Sequence, residues 1–171
     1  AVMTSRNYRA RETQNWLRIG QMALSTRLQG EQHVAELGTS ALEFLAGYLD
    51  AQAGAVYIGQ QDGNLHRCAA YGVRADSPGE VLRAGEGLLG QAVKENRALH
   101  VRDVPEDYLQ VASSLGQGRP REILLVPASV DGTAQAVLEL GFFRRVGAEE
   151  LEFLGRVSES LAVAVRTAQD R

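Results

Sequence analysis

Two Asp-Gly pairs restrict the fold of this chain more than any other feature of its sequence. Asp62-Gly63 separates the apolar segments AGAVYIG and LHRCAAYG, and Asp131-Gly132 separates EILLVPAS from TAQAVLELGFF. Both pairs favour tight turns between strands, because glycine tolerates the positive φ that such turns require. The sequence therefore predicts two antiparallel hairpins, one in each half of the chain.

Helical periodicity surrounds these hairpins. It predicts helices over residues 13–30 and 31–50, a short helix in GEGLLGQAVKEN, and a last helix from Ala148 onward. Strands are expected at 81–83 and in ALHVRDV, and a short helix with a mobile loop at 105–120. Hairpins with helices at both ends indicate an α+β domain with a mostly antiparallel sheet. We interpret residues 1–12 as a connector or frayed start, 13–30 as a coiled-coil-like signalling helix and 31–171 as the domain.

Composition and charge exclude several classes of protein. A net charge of −3 without a basic stripe argues against a nucleic-acid partner. The single cysteine, Cys68, allows no internal disulfide, and its spacing from the three histidines fits no metal or haem site. No apolar run approaches the ~18 residues of a membrane helix, and no signal peptide opens the chain. We therefore expect a cytoplasmic domain with no cofactor, no metal and no direct membrane contact.

Apolar residues in the terminal helices are spaced as in helices that pair with one another. In the last helix, Leu151, Leu154, Ser158, Leu161, Val165 and Ala168 follow a 3-4 spacing, and in the first helix Leu17, Leu24 and Leu28 make a similar seam. Phe153, Val157 and Ala164 form a second apolar stripe that can face the sheet. These seams predict a homodimer through the terminal helices. The alternative is that Leu151 and Leu161 simply cover the sheet.

Residues 37–168 resemble a GAF domain, a signalling and small-molecule module related to PAS domains. Three segments carry the resemblance, in this order: GAVYIGQQDGNLHRCAAYG, GEGLLGQAVKENRALHVRDVPEDY and ILLVPASVDGTAQAVLELGFF. The resemblance implies long N- and C-terminal helices on one face of the sheet and a lid of short helix and loop on the other. It also implies a sensory role.

The leading helix resembles the connector between a HAMP segment and a GAF domain in hybrid sensor histidine kinases. This resemblance implies a bacterial two-component parent protein with upstream and downstream domains and a phosphorelay output. Such a parent is compatible with an anchor in the inner membrane.

The GAF resemblance places a ligand between the sheet and the lid at 105–120. Strand alternation then sends Leu138 and Leu140 toward the helices and puts Glu139 and Tyr57 on the pocket face. His100 and Tyr108 are further candidates that could enter the lid, and the alternative for His100 is a surface position or a partner elsewhere in the fold. Glu139 could anchor a ligand, or it could be solvated at the rim or paired with a nearby arginine.

Three functions remain open at this point. We favour a non-catalytic dimerising relay, and the alternative is a sensor with an unidentified ligand. A third possibility is an enzyme similar to the free-methionine sulfoxide reductases, which also resemble this fold. Leu89 occupies the position that matches their catalytic cysteine, and Cys68 has no partner, so we expect no catalytic residue and no reduction of free methionine sulfoxide.

Overall fold

A six-stranded antiparallel sheet forms the centre of the domain. The computed structural model describes residues 5–30, 33–72, 81–83, 85–104, 111–113 and 116–170. In chain order the elements are α1 (Ser5–Leu28), α2 (Val34–Leu49), β1 (Ala53–Gly59), β2 (Leu65–Tyr71), β3 (Val81–Leu82), α3 (Gly87–Glu95), β4 (Leu99–Val101), β5 (Val111–Ser113), β6 (Gly116–Gly118), β7 (Glu122–Val130), β8 (Thr133–Phe142) and α4 (Ala148–Gln169). The strand order is β3-β2-β1-β8-β7-β4, and the fold is α+β as predicted.

Both predicted hairpins are present. Gly63 has φ 83°, and Asp131 and Gly132 have φ 51° and 80°, so each turn uses the left-handed region that its Asp-Gly pair favours. β1 pairs with β2 and with β8, and β8 pairs with β7. The two hairpins therefore meet side by side in the middle of the sheet, where β1 contacts β8.

The helices form two layers on one face of the sheet. α2 and α4 lie directly on the strands, and α1 packs on α2 and α4. α1 begins at Ser5, about two turns before the predicted start at Thr13. Residues 7–12 are exposed on every side, so this part of the helix has no apolar periodicity by which the sequence could reveal it.

The seams predicted for a dimer are buried inside one chain. Leu17, Leu24 and Leu28 of α1 and Leu154, Leu161 and Val165 of α4 all belong to the core between helices and sheet, and Leu151 packs against it. α4 does have two apolar stripes, but Phe153, which was expected to face the sheet, packs against Trp16 of α1 instead. Because the core of one chain already buries these side chains, they are not available to a second copy.

α1 and α4 run in the same direction. Thr13 and Trp16 lie in a cleft with Glu149 and Glu150, at the start of α4. Further along both helices, residues 25–29 and 159–164 line a common groove. The first helix therefore begins at the end of the domain where α4 begins, and α4 finishes at the opposite end.

The segment predicted as a short helix and loop contains a strand pair. β5 and β6 are antiparallel, with Val111 opposite Gly118. The rest of 105–115, including the candidate Tyr108, lies outside the described residues. The expected helix at 105–120 is thus incorrect for the part that is described.

Candidate functional site

The face of the sheet opposite the long helices carries a separate apolar cluster. Leu89 and Ala92 of α3 and Val104, which follows β4, pack against this face. The strands contribute alternate residues, as expected for side chains that point to one side of a sheet. They are Ala53, Ala55, Tyr57, Leu65, Leu82, Ile123, Leu125 and Val137. We call these residues, together with Leu89, Ala92 and Val104, the lid-side cluster.

Glu139 and Tyr57 come together on this face, as the alternation predicts. Glu139 is 4% exposed and lies opposite Ala55 on β1 and Leu125 on β7. Leu138 and Leu140, its neighbours in β8, belong to the core under the helices. The faces of the sheet to which these β8 side chains point were therefore predicted correctly, and a carboxylate is buried on the face that carries the lid-side cluster.

Tyr57 is buried beside two charged groups. Burial raises the pKa of Tyr57 to about 12, and the negative charge of Glu139 acts in the same direction. Arg67, opposite Tyr57 on β2, partly counteracts this effect. The phenol is therefore neutral at physiological pH and can donate a hydrogen bond. Arg67 was missed in the sequence, because a β-bulge between Val56 and Tyr57 shifts the pairing of β2.

His100 does not belong to this site, contrary to the sequence-based expectation. It lies opposite Leu124, so it shares the face that the helices cover. Its Nε2 is 2.5 Å from Oε1 of Glu122. β4 has only three residues. Its pairing with β7, rather than any pattern in its own sequence, decides to which face of the sheet each side chain points.

Glu122 forms a buried polar centre that the sequence analysis did not identify. It is 5% exposed, and its Oε1 also accepts a hydrogen bond from the backbone amide of Val146, at 3.2 Å. Burial opposes ionisation, but the bonds from His100 and Val146 outweigh it, so the pKa of Glu122 is lowered. A lowered pKa means that this carboxylate stabilises the fold above its unfolded-state pKa, and the contribution is lost as the pH falls through the folded-state pKa. One feature of the sequence could have revealed that Glu122 is buried. It stands two residues before Leu124 in an apolar strand, and strand alternation places both side chains on the same face.

The first turn of α4 is tied down by further polar contacts. Glu150 accepts bonds from the amide of Gly147 at 3.0 Å and from Arg144 Nη1 at 2.9 Å. The other guanidinium nitrogen of Arg144 donates to the carbonyl of Leu49, at the end of α2. The bond to Gly147 supplies a partner for an amide at the N-terminus of α4, and the bond from Arg144 supplies one for a carbonyl at the C-terminus of α2. They hold the start of α4 against both the sheet and α2.

Aromatic side chains attach α1 to the other helices. The rings of Trp16 and Tyr48 stack with centroids 5.1 Å apart, and Phe153 and Phe44 lie 5.1–5.2 Å from their nearest ring partners. The hydroxyl of Tyr48 donates to the carbonyl of Trp16 at 2.5 Å. We call these four residues the aromatic cluster. It fixes the position of α1 along α2 and α4.

The outer surface of α1 and α4 exposes a stripe of large apolar side chains. Ile19 and Met22 of α1 are 57% and 64% exposed, and Val163 of α4 is 56% exposed. Val163 also lines the groove of about 450 Å³ between the two helices. We call Ile19, Met22 and Val163 the outer stripe. Ile19 and Met22 lie on the side of α1 opposite to the buried Leu17 and Leu24.

Thiol and metal chemistry receive no support from the described residues. Cys68 lies on β2 toward α2, close to Gly38, and burial raises the pKa of its thiol to about 11. Among the residues that the structure describes, no group of three or more His, Cys, Asp or Glu side chains could hold a metal ion. In the same residues, no helix is both long and apolar enough to span a membrane.

The antiparallel sheet, with long helices on one face and the lid-side cluster on the other, is the GAF fold. A family model for the GAF domain matches residues 31–166, and the chain belongs to this family. GAF domains are sensory and regulatory modules that are generally non-catalytic. No curated protein matches the chain significantly.

Solved GAF structures agree with the fold at low sequence identity. The GAF domain of a phosphoenolpyruvate-protein phosphotransferase from Coxiella burnetii has a TM-score of 0.75 and 18% identity, over 92% of this chain and 96% of that one. Free methionine-R-sulfoxide reductase from Neisseria meningitidis has a TM-score of 0.72 and 16% identity, over 90% of each chain. The A. aeolicus nlh2 GAF domain has a TM-score of 0.66 and 14% identity, over 91% of this chain and 98% of that one. These likenesses concern the fold alone.

Proposed function

We propose that this GAF domain is a non-catalytic relay that passes a conformational signal from its first helix to its last. The observation that supports this most directly is the parallel contact between α1 and α4. Because α1 begins at one end and α4 finishes at the other, a shift of α1 acts on α4 along their shared interface. The aromatic cluster supports this proposal, because Trp16 of α1 packs against both Tyr48 of α2 and Phe153 of α4.

We further propose that the parent protein is a cytoplasmic or inner-membrane-anchored bacterial sensor histidine kinase, with modules on both sides of this domain. The resemblance of the leading helix to a HAMP-to-GAF connector supports this proposal. The sequence that follows Arg171 in the parent provides the test. A histidine-containing dimerisation helix and an ATPase domain there would agree with it, and a different output module would contradict it.

The relay is proposed to act as a homodimer through the outer stripe, in place of the buried seams. Ile19 and Met22 are spaced by three residues and face outward, beside the groove that Val163 lines. A second copy packed in parallel would cover this apolar surface and bring two α1–α4 pairs together with both first helices beginning at one end. In this proposal, the dimer forms through the outer stripe and not through the seams that were predicted from the sequence.

Met22→Glu is expected to weaken self-association at least ten-fold, because a charge would replace an apolar side chain at the centre of the contact. Sedimentation velocity at tens of micromolar should show a wild-type dimer and a largely monomeric variant. Tyr71→Glu, which changes an exposed side chain on β2, serves as the control and should remain dimeric. A wild-type chain that sediments as a monomer would contradict the dimer.

The buried charge on the lid-side face favours one alternative, a sensor that binds a small molecule. Glu139, Tyr57 and Arg67 bring an acceptor, a neutral phenol and a cation together beside apolar walls. Such a combination suits a small polar ligand, since a few polar groups in an apolar site fix its orientation.

Native mass spectrometry of the purified chain separates the two functions. The ligand-binding alternative predicts a co-purifying small molecule that Glu139→Gln loses. Glu122→Gln is the matched control, because it changes a buried carboxylate on the other face of the sheet and should keep the ligand. If the domain is a relay without a ligand, the wild type and both variants should each show only the mass of the polypeptide itself.

A further inference from the structure

β4 is a short strand whose side chains reach both the lid-side cluster and the buried Glu122, which bonds the segment before α4. Leu99 and Val101 pack against the lid-side cluster. His100, between them, points to the opposite face and reaches Glu122. Strand alternation therefore gives one short segment contacts on both sides of the sheet.

Glu122 shares one oxygen between this strand and the segment that begins α4. His100 Nε2 lies 2.5 Å and the amide nitrogen of Val146 3.2 Å from the same Oε1. Val146 is buried and stands directly before Gly147, the residue that caps α4. Among the described residues, Arg102, directly after β4, is the one further charged group that acts on Glu122.

The position of β4 makes it easy to displace. It is the last strand of the sheet and pairs with β7 alone, over three residues. β7 and β8, in contrast, are long and paired on both sides. A change in the lid-side cluster should therefore move β4 before it moves the central strands, because fewer backbone hydrogen bonds resist it.

We propose that β4 couples the lid-side cluster to α4, and that the Glu122 carboxylate, shared by His100 and the amide of Val146, is the contact that transmits the change. If β4 shifts, His100 withdraws from a buried carboxylate, which must then bind the Val146 amide differently or lose part of its hydrogen bonding. Since Val146 directly precedes Gly147, a change in the bond to its amide alters the start of α4. This inference deepens the relay proposed above, since it names a route from the lid side to the relay helix.

The test perturbs one side of the sheet and measures the other, because a route between two sites is established only by measured coupling. Val101→Ala removes two methyl groups on the lid side of β4. Amide hydrogen exchange of residues 146–151 is then compared in four proteins: wild type, Val101→Ala, His100→Ala and the double variant. Val137→Ala, a lid-side change on β8, is the control that does not pass through β4.

In the wild-type background, Val101→Ala is expected to accelerate amide exchange at residues 146–151 about five-fold or more. A five-fold effect corresponds to the lower end of the coupling usually found between two sites of a protein. In the His100→Ala background the same substitution should add less than two-fold. Val137→Ala should accelerate these amides no more than those of β7 and β8. An equal effect of Val101→Ala in both backgrounds would overturn the proposal.

A second background keeps the test decisive if His100→Ala does not fold. Glu122→Gln retains an oxygen that can accept from Val146 but removes the negative charge that binds His100. The coupling should fall in this background as well, and persistence of the full five-fold effect would overturn the proposal. All variants are compared at one concentration at which the chain is monomeric, so the result does not depend on dimer formation. Failure here would therefore leave the sedimentation test, and the relay itself, standing.

Discussion

Leu161→Glu is expected to unfold this domain, although the spacing of the last helix taken alone predicts only a weaker dimer. Leu161 is 1% exposed, in the core between the helices and the sheet. Removing a buried leucine side chain typically costs about 2–5 kcal/mol, and a buried charge without a partner adds to that cost. The sum approaches the total stability of ~5–15 kcal/mol that is usual for a domain. Circular dichroism and urea unfolding should show loss of cooperative structure.

Val163→Glu is the matched control for this substitution. It introduces the same side chain two residues later in α4, at a position that is 56% exposed. Its stability should stay within about 0.5 kcal/mol of the wild type, measured at a concentration where the chain is monomeric. Because Val163 belongs to the outer stripe, self-association should nevertheless weaken. A Leu161→Glu protein with wild-type stability would mean that this seam is not inside the core.

Gly20→Ala is expected to destabilise the domain by about 1–3 kcal/mol, the usual cost of overpacking, despite the better helix propensity of alanine. A Cβ at Gly20 would lie 2.5 Å from ring carbons of both Phe153 and Tyr48. Neither ring can move aside easily, because Tyr48 is stacked on Trp16 and Phe44 and also donates a hydrogen bond to the carbonyl of Trp16. The substitution should therefore loosen α1 from α2 and α4.

Gly155→Ala gives the comparison for this prediction. Gly155 is also within a helix, but a Cβ there would meet nothing within 4 Å. It should stabilise the domain by about 0.5–1 kcal/mol through helix propensity alone. Urea unfolding measures both effects, and hydrogen exchange should show faster opening of α1 in Gly20→Ala. If Gly20→Ala stabilises the domain as much as Gly155→Ala does, the aromatic cluster does not hold α1 as closely as described.

Two candidate residues show where strand patterns suffice and where they do not. Glu139 was assigned to the correct face, because β8 is long and its aliphatic neighbours Leu138 and Leu140 establish the phase. His100 was assigned to the wrong face, because β4 has three residues and no alternation to read. Its orientation follows from the register with β7, which is a contact between distant parts of the chain.

Local chemistry in the sequence determined the hairpins, the antiparallel sheet and the existence of two apolar stripes on the last helix. Turn geometry and the 3.6-residue period act over a few neighbouring residues, so they can be read without knowing the fold. Only the tertiary structure decided what covers those stripes and which charges are buried together. Leu161 is buried within its own chain because α4 packs on the sheet and against the other helices, and Glu122 binds His100 and Val146 because three separate segments meet at one edge of the sheet. The 3-4 spacing specifies an apolar surface, but the partner that buries it depends on long-range packing that spacing does not encode.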